Sequence, residues 1–153
     1  MIYEIRTYDV KPMTLVDVEK KYAAAYEYRK QYSELAAAWH TEIGPLNQLI
    51  TVWPYENLAH FEKVAIQIRN DERCRPAIRE SVIAMRSEIA TLATFSPALK
   101  PGKVGPFFEM RTYTVPFGEM QLLMENWRRA MPKRLELSPV CALWYCEVGG
   151  LNR

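Results

Sequence analysis

Glu4, Arg6 and Tyr8 alternate with Tyr3, Ile5 and Thr7, so on an extended chain the first three share one face. A carboxylate, a guanidinium and a phenol in line can hold an anionic or hydrogen-bonding ligand. The same residues can equally form a Glu–Arg pair that stabilises a sheet or an interface. Glu109, Arg111 and Tyr113 present the same pattern later in the chain. His40 follows Trp39 and stands two residues before Glu42. On a strand His40 and Glu42 share a face, which places a base beside an orienting carboxylate. A solvent-facing histidine at a strand edge is the plainer alternative. Glu42 to Asn47 reads as a turn: Gly44 supplies permissive angles, Pro45 fixes φ, and Asn47 can bond nearby backbone. Trp39, Trp53, Trp127 and Trp144 can line a pocket for a flat apolar ligand, or fill a core.

Other chemistries find no support. The two histidines, His40 and His60, and the three cysteines, Cys74, Cys141 and Cys146, show no metal-ligand spacing. No metal and no cofactor is expected, and neither a phosphate loop nor a nucleophile elbow is present. An odd cysteine count without framework spacing suits a reducing cytoplasm. The net charge of +2 is too small to imply a nucleic-acid partner. Arg128, Arg129, Lys133 and Arg134 cluster, but Glu125 and Glu136 flank them, as on a solvated helix face. No apolar run approaches the roughly 20 residues of a membrane span. Strand-like sequence begins at Ile2 without a charged leader, so no signal peptide is expected.

The elements that must position these residues come in two copies. Ile2-Tyr3-Glu4-Ile5-Arg6-Thr7-Tyr8 returns as Phe107-Phe108-Glu109-Met110-Arg111-Thr112-Tyr113. Trp39-His40-Thr41-Glu42-Ile43-Gly44-Pro45-Leu46-Asn47 returns as Trp144-Tyr145-Cys146-Glu147-Val148-Gly149-Gly150-Leu151-Asn152. Both blocks recur at one offset of about 105 residues, the mark of a duplicated domain rather than a solenoid unit. Tyr145 at the position of His40 weakens a duplicated catalytic role. The copies are expected at 1–96 and 107–153, joined by a proline- and glycine-rich linker over 97–106.

Within the first copy, composition predicts a strand over Ile2 to Val10. Leu15, Val18, Tyr22 and Tyr26 predict a helix over Pro12 to Ser33. Strands follow over Leu35 to Ile43 and Gln48 to Tyr55. Leu58, Phe61, Ala65 and Ile68 mark a second helix capped by Asn57. A third helical stretch is expected from Asp71 and Pro76 through Ile78, Val82 and Met85, then a strand over Glu88 to Phe95. Strand, helix, strand, strand, helix, strand is the split βαβ order of an α+β, ferredoxin-like domain. The second copy repeats the first strand, a helix over Glu119 to Leu137 and the second strand. Its apolar residues are expected to need cover from the first copy, a second subunit or further chain.

The blocks Y-E-I-R-T-Y and T-E-I-G-P-L-N, with a later strand ending W-P-Y, resemble the NIPSNAP family along the whole first copy and half of the second. The resemblance implies a dimeric α+β barrel, a superfamily that includes cofactor-free monooxygenases and haem-degrading enzymes. It carries no catalytic residue onto this chain. The leading expectation is a cytoplasmic, homo-oligomeric module that binds a small apolar or aromatic molecule or a protein. Arg6, Tyr8, Trp39, His40, Glu42 and Asn47 are its candidate binding residues. The alternative is a cofactor-independent monooxygenase-like barrel acting on an aromatic or lipid-like substrate through His40 or Tyr8.

Overall fold

Tyr, Ile, Thr and Val, the side chains that suit a pleated surface, form β1 over Ile2–Val10 in the computed structural model, which describes residues 1–99, 101–102 and 105–153. Part of the linker expected over 97–106, at positions 100, 103 and 104, lies outside the described residues. Helix α1 runs over Leu15–Arg29 and buries Val18, Tyr22, Ala25 and Arg29 along one stripe. It is shorter at both ends than the apolar spacing predicts. Met13 has φ 65°, outside helical geometry, and the chain beyond Lys30 turns back through Tyr32 N–H and Ser33 N–H onto the Arg29 carbonyl.

Strand β2 is Ala37–His40 and β3 is Gln48–Tyr55. They pair antiparallel from Ala37 opposite Val52 to His40 opposite Leu49. The turn between them places Gly44 at φ 91° and Asn47 at φ 57°. Asn is among the few residues that tolerate this left-handed region besides Gly. The early turn is why β2 stops short of the expected Ile43. Helix α2, Leu58–Asn70, is capped by Asn57, whose side-chain oxygen accepts from His60 N–H at 2.9 Å.

The expected third helix does not form. A single 3-10 turn spans Glu72–Cys74, and β4 runs over Val82–Leu92, six residues earlier than predicted. Ile78, Val82 and Met85 fit a helical stripe, but Ile83, Met85, Ser87 and Ile89 fit period two equally well. Pro76 breaks the helix and β-branched Val82 and Ile83 favour the ladder. Further on lie α3, Met120–Leu137, and β5, Trp144–Val148. The sheet order is β2-β3-β1-β4-β5. Its first four strands have the arrangement of a ferredoxin-like domain, and the sheet is open, with β2 and β5 at its edges.

The chain divides into two compact units, Met1–Ser87 and Glu88–Arg153. In the first, β1 pairs antiparallel with β3, with Glu4 opposite Trp53, Arg6 opposite Thr51 and Tyr8 opposite Leu49. Tyr8, Val10, Leu49, Trp53 and Tyr55 pack with Val18 and Tyr22 of α1 and Val64 of α2. The even-numbered face of β1 is therefore the one the helices cover. In the second unit, β5 pairs antiparallel with the end of β4, from Leu92 opposite Trp144 to Ile89 opposite Val148. Residues 107–113, the repeat of β1, have no regular strand there. A strand is stable only with a ladder partner on at least one side. Helix α3 lays Arg128 and Arg129 on Glu125 and Lys133 on Glu136 as exposed ion pairs.

Candidate functional site

Alternation on β1 puts Glu4 and Arg6 under the helices, an unusual place for charge. Glu4 is 1 % exposed. Its Oε1 accepts from Arg6 Nε at 2.5 Å and from Ser87 Oγ at 2.7 Å. Its Oε2 accepts from the Tyr55 hydroxyl at 3.4 Å. Arg29 of α1, 5 % exposed, enters from the helix layer. Its Nη2 donates to the Tyr55 hydroxyl at 3.4 Å, and its guanidinium lies 3.4 Å from the centre of the Trp53 ring. Arg29 Nε has no hydrogen-bond partner among the described residues. Two guanidiniums thus share the buried Glu4 carboxylate, and Arg29 reaches it only through the Tyr55 phenol.

Burial by itself would lower the pKa of Arg6, but the Glu4 charge and hydrogen bond outweigh it and the value rises. Burial likewise raises the Tyr55 phenol, although the Arg29 charge opposes the rise. Both groups hold their protons across the physiological range. The Trp53 face offsets part of the cost of burying Arg29. A long neutral contact and an unpartnered Nε leave the rest uncompensated, because buried cations are stable only when fully bonded.

These groups open onto a cleft of about 690 Å³ lined by Arg6, Arg29, Tyr55, Leu58, Phe61, Glu62, Ala65, Ile68, Arg69 and Arg75. One wall comes from β1, α1 and β3 and is polar. Helix α2 contributes the stripe Leu58, Phe61, Ala65 and Ile68, together with Glu62 and Arg69. Val64 of α2 is buried, Phe61 and Ile68 are half-buried and pack against the core cluster, and Leu58 is 55 % exposed. The stripe therefore borders both the core and the cleft.

The six residues singled out from the sequence fall in different places. Arg6 lines the cleft. Tyr8 shares its sheet face but is buried against Tyr22, ring centres 5.7 Å apart. Trp39 is half-buried in β2. His40 and Glu42 come together at the exposed end of β2, where His40 Nε2 lies 2.9 Å from Glu42 and Nδ1 lies 2.6 Å from Glu19 of α1. Hydrogen bonds to Glu19 and Glu42 raise the His40 pKa. With a carboxylate against each ring nitrogen, His40 has no nitrogen left open to accept a proton from a substrate. Asn47 serves the turn, its carbonyl accepting from Val10 N–H at 2.9 Å.

Arg29 and Tyr55 escaped the sequence reading. A signal for Arg29 did exist: it continues the Val18, Tyr22, Ala25 stripe at helical spacing, and a charge at a core-facing position marks a buried functional or structural ion. Among the described residues no group of three or more His, Cys, Asp or Glu side chains is placed to hold a metal ion.

An antiparallel sheet in this order, with two helices on one face and an arginine-lined cleft between, defines a ferredoxin-like α+β protein. The NIPSNAP family model matches residues 3–97 and 108–153, and the chain belongs to that family. Protein NipSnap homolog 3B of Homo sapiens is 29 % identical over 161 residues, covering 99 % of this chain and 64 % of its own length. Protein NipSnap of Drosophila melanogaster is 26 % identical, covering 99 % of this chain and 59 % of its own length. The chain therefore spans about two thirds or less of the curated relatives it matches. Among solved structures, an uncharacterised NIPSNAP domain protein from Burkholderia xenovorans matches with a TM-score of 0.60 at 24 % identity, over 63 % of this chain and 99 % of its own. A NIPSNAP family protein of unknown function from Agrobacterium tumefaciens matches with a TM-score of 0.55 at 26 % identity, over 71 % of this chain and 94 % of its own.

Proposed function

We propose that this NIPSNAP chain is a small-molecule-binding module whose site is the cleft between the sheet and α2. The observation that carries the reading is Arg29: a cation buried at the cleft, resting on the Trp53 ring, with a long hydrogen bond to the Tyr55 phenol and an Nε that has no partner among the described residues, beside the partly exposed apolar stripe of α2. Pockets that bind small molecules combine such a wall with a few convergent polar groups. The rival monooxygenase-like reading needs a free base, and His40 has both ring nitrogens against carboxylates. His40 is also absent from the cleft lining.

In this reading residues 1–96 and 107–153 are two copies of one domain, and the chain self-associates through the second. The three free cysteines, Cys74, Cys141 and Cys146, support a reducing compartment such as the cytoplasm. No helix among the described residues is long and apolar enough to cross a membrane.

The test is a thermal-shift screen of small organic molecules against the full chain and against Ala65→Trp. The indole would fill the cleft from an accessible helix position. Hits that stabilise the parent and lose their effect in Ala65→Trp are expected. A screen whose every hit stabilises both proteins equally would remove the cleft as the site.

A further inference from the structure

We infer that the cleft takes an amphipathic monoanion, a carboxylate carried on an extended apolar chain. The inference rests on the small-molecule-binding reading above and names its ligand class. The charge argument starts from the lining. Arg6, Arg29, Arg69 and Arg75 face the cleft with Glu62 as the acidic member of the lining, and Glu4 lies behind Arg6. The site therefore keeps a positive excess after its internal pairing. A guanidinium has five N–H donors in a planar fork that matches a carboxylate. Glu4 engages Arg6 through Nε, while Arg29 places one donor on Tyr55 and leaves Nε unpartnered. A carboxylate seated among Arg6, Arg29 and Tyr55 supplies the missing counter-charge, and low local dielectric makes it worth more there than at the surface.

The apolar argument comes from α2. Leu58, Phe61, Ala65 and Ile68 recur at three and four residues, so they form one continuous stripe along the helix. From Phe61 to Ile68 the helix rises about 10 Å, the length of a medium-chain acyl group. Phe61 stands edge-on to Tyr55, ring centres 5.3 Å apart, so the apolar track begins where the polar wall ends. An inorganic anion would leave in water the part of this stripe that faces the cleft, and a neutral amphiphile would leave the arginines without their counter-charge. Both halves of the site are used only by a molecule with a charged head and an apolar body.

The experiment is calorimetric titration of the full chain with decanoate, decanol and inorganic phosphate at low ionic strength. Decanoate is expected to bind once per chain, at least about tenfold tighter than decanol, and to weaken with added salt. Phosphate is expected to show no binding at the same concentrations. Arg29→Gln should abolish the preference for the acid over the alcohol. Because Arg29 is buried and that variant can lose its fold, two exposed positions give the same answer independently. Arg75→Gln should weaken decanoate about threefold and Glu62→Gln should tighten it by a similar factor, with decanol unchanged in both. Equal affinity for decanol and decanoate would overturn the anionic class, while hits sensitive to Ala65→Trp would still uphold the cleft as a site. Phosphate competing on a par with decanoate would overturn the need for an apolar body. Failure of decanoate to bind would overturn the inference outright.

Discussion

Arg6 and Arg111 occupy the same place in the repeated block, and the structure gives them opposite surroundings. Arg6 pairs at 2.5 Å with a carboxylate that is 1 % exposed, whereas Arg111 pairs at 2.8 Å with Glu109 when both side chains are more than half exposed. Removing one partner of a buried pair strands the other charge, while an exposed pair is screened by water. Arg6→Ala is therefore expected to cost about 2–4 kcal/mol, somewhat discounted because Arg6 itself is partly exposed. Lys20→Ala, on the open face of α1, should stay within about 0.5 kcal/mol, and Arg111→Ala should leave no measurable change. Urea unfolding of the three variants decides this, and a loss at Arg111 equal to that at Arg6 would contradict the burial argument. His40 gives a second test at this scale. Its folded pKa is raised by Glu19 and Glu42, so the clamp contributes fully below its unfolded value of about 6.5. That contribution is lost as pH climbs through the raised folded value. Melting temperature should fall modestly from about pH 6.5 upward, the effect being small because His40 is 40 % exposed. His40→Gln should flatten that slope, and an identical pH profile in the variant would assign the slope to other groups.

At the scale of elements, local chemistry decides where each begins and ends. Asn57 is extended, at φ −163°, and satisfies His60 N–H at the first turn of α2. Asn57→Ala should cost about 0.5–2 kcal/mol, with Asn57→Gly costing less. It should also loosen the Leu58 end of the cleft, so any cleft ligand should bind more weakly in proportion; a cap loss without effect on stability would show that α2 is held by packing alone. The stripe of α1, the Asn57 cap and stripe of α2, the extent of α3, the hairpin turn at Gly44 and the full extent of β3 were legible in the sequence. They rest on local signals with a physical cause at the residue itself. Two segments were not legible for the same reason in reverse. Residues 76–87 carry apolar positions compatible with both periods, so tertiary pairing chose the strand. Residues 107–113 repeat a strand sequence, but a strand depends on its neighbours, and the repeat of the sequence does not carry the neighbours of β1 with it. The cleft was half legible. Arg6 could be found by alternation, but Arg29 and Tyr55 come from α1 and β3, and only the fold sets them beside it.

For the molecule as a whole, the recurring sequence blocks let the surroundings of one be compared with those of the other. In the first unit β1 is flanked by β3 and its apolar residues enter a core with α1 and α2. In the second, Phe107, Phe108, Met110 and Tyr113 of the matching block are exposed, as are Phe117, Leu137 and Leu151. Helix α3 buries Met131 and leaves Leu122 and Leu135 exposed. Apolar surface of this extent, together with strand-forming sequence that lacks a ladder, favours association. A second copy of the chain is the occupant proposed for it, because the block at 107–113 already matches a strand, β1, that pairs stably in this sequence. The full chain is expected to sediment as a dimer or larger at micromolar concentration, and replacing Phe107 and Met110 together by Ser should shift it toward monomer without lowering the stability of the first unit. A fragment of residues 100–153 is expected to show no cooperative melt. It lacks Ile89 to Leu92, the segment of β4 against which β5 pairs, and one helix with one short strand buries too little apolar surface to offset the ordering entropy. A cooperatively folded, monomeric fragment would overturn the argument that the second copy needs outside cover, and a strictly monomeric full chain would leave the first copy as the source of that cover.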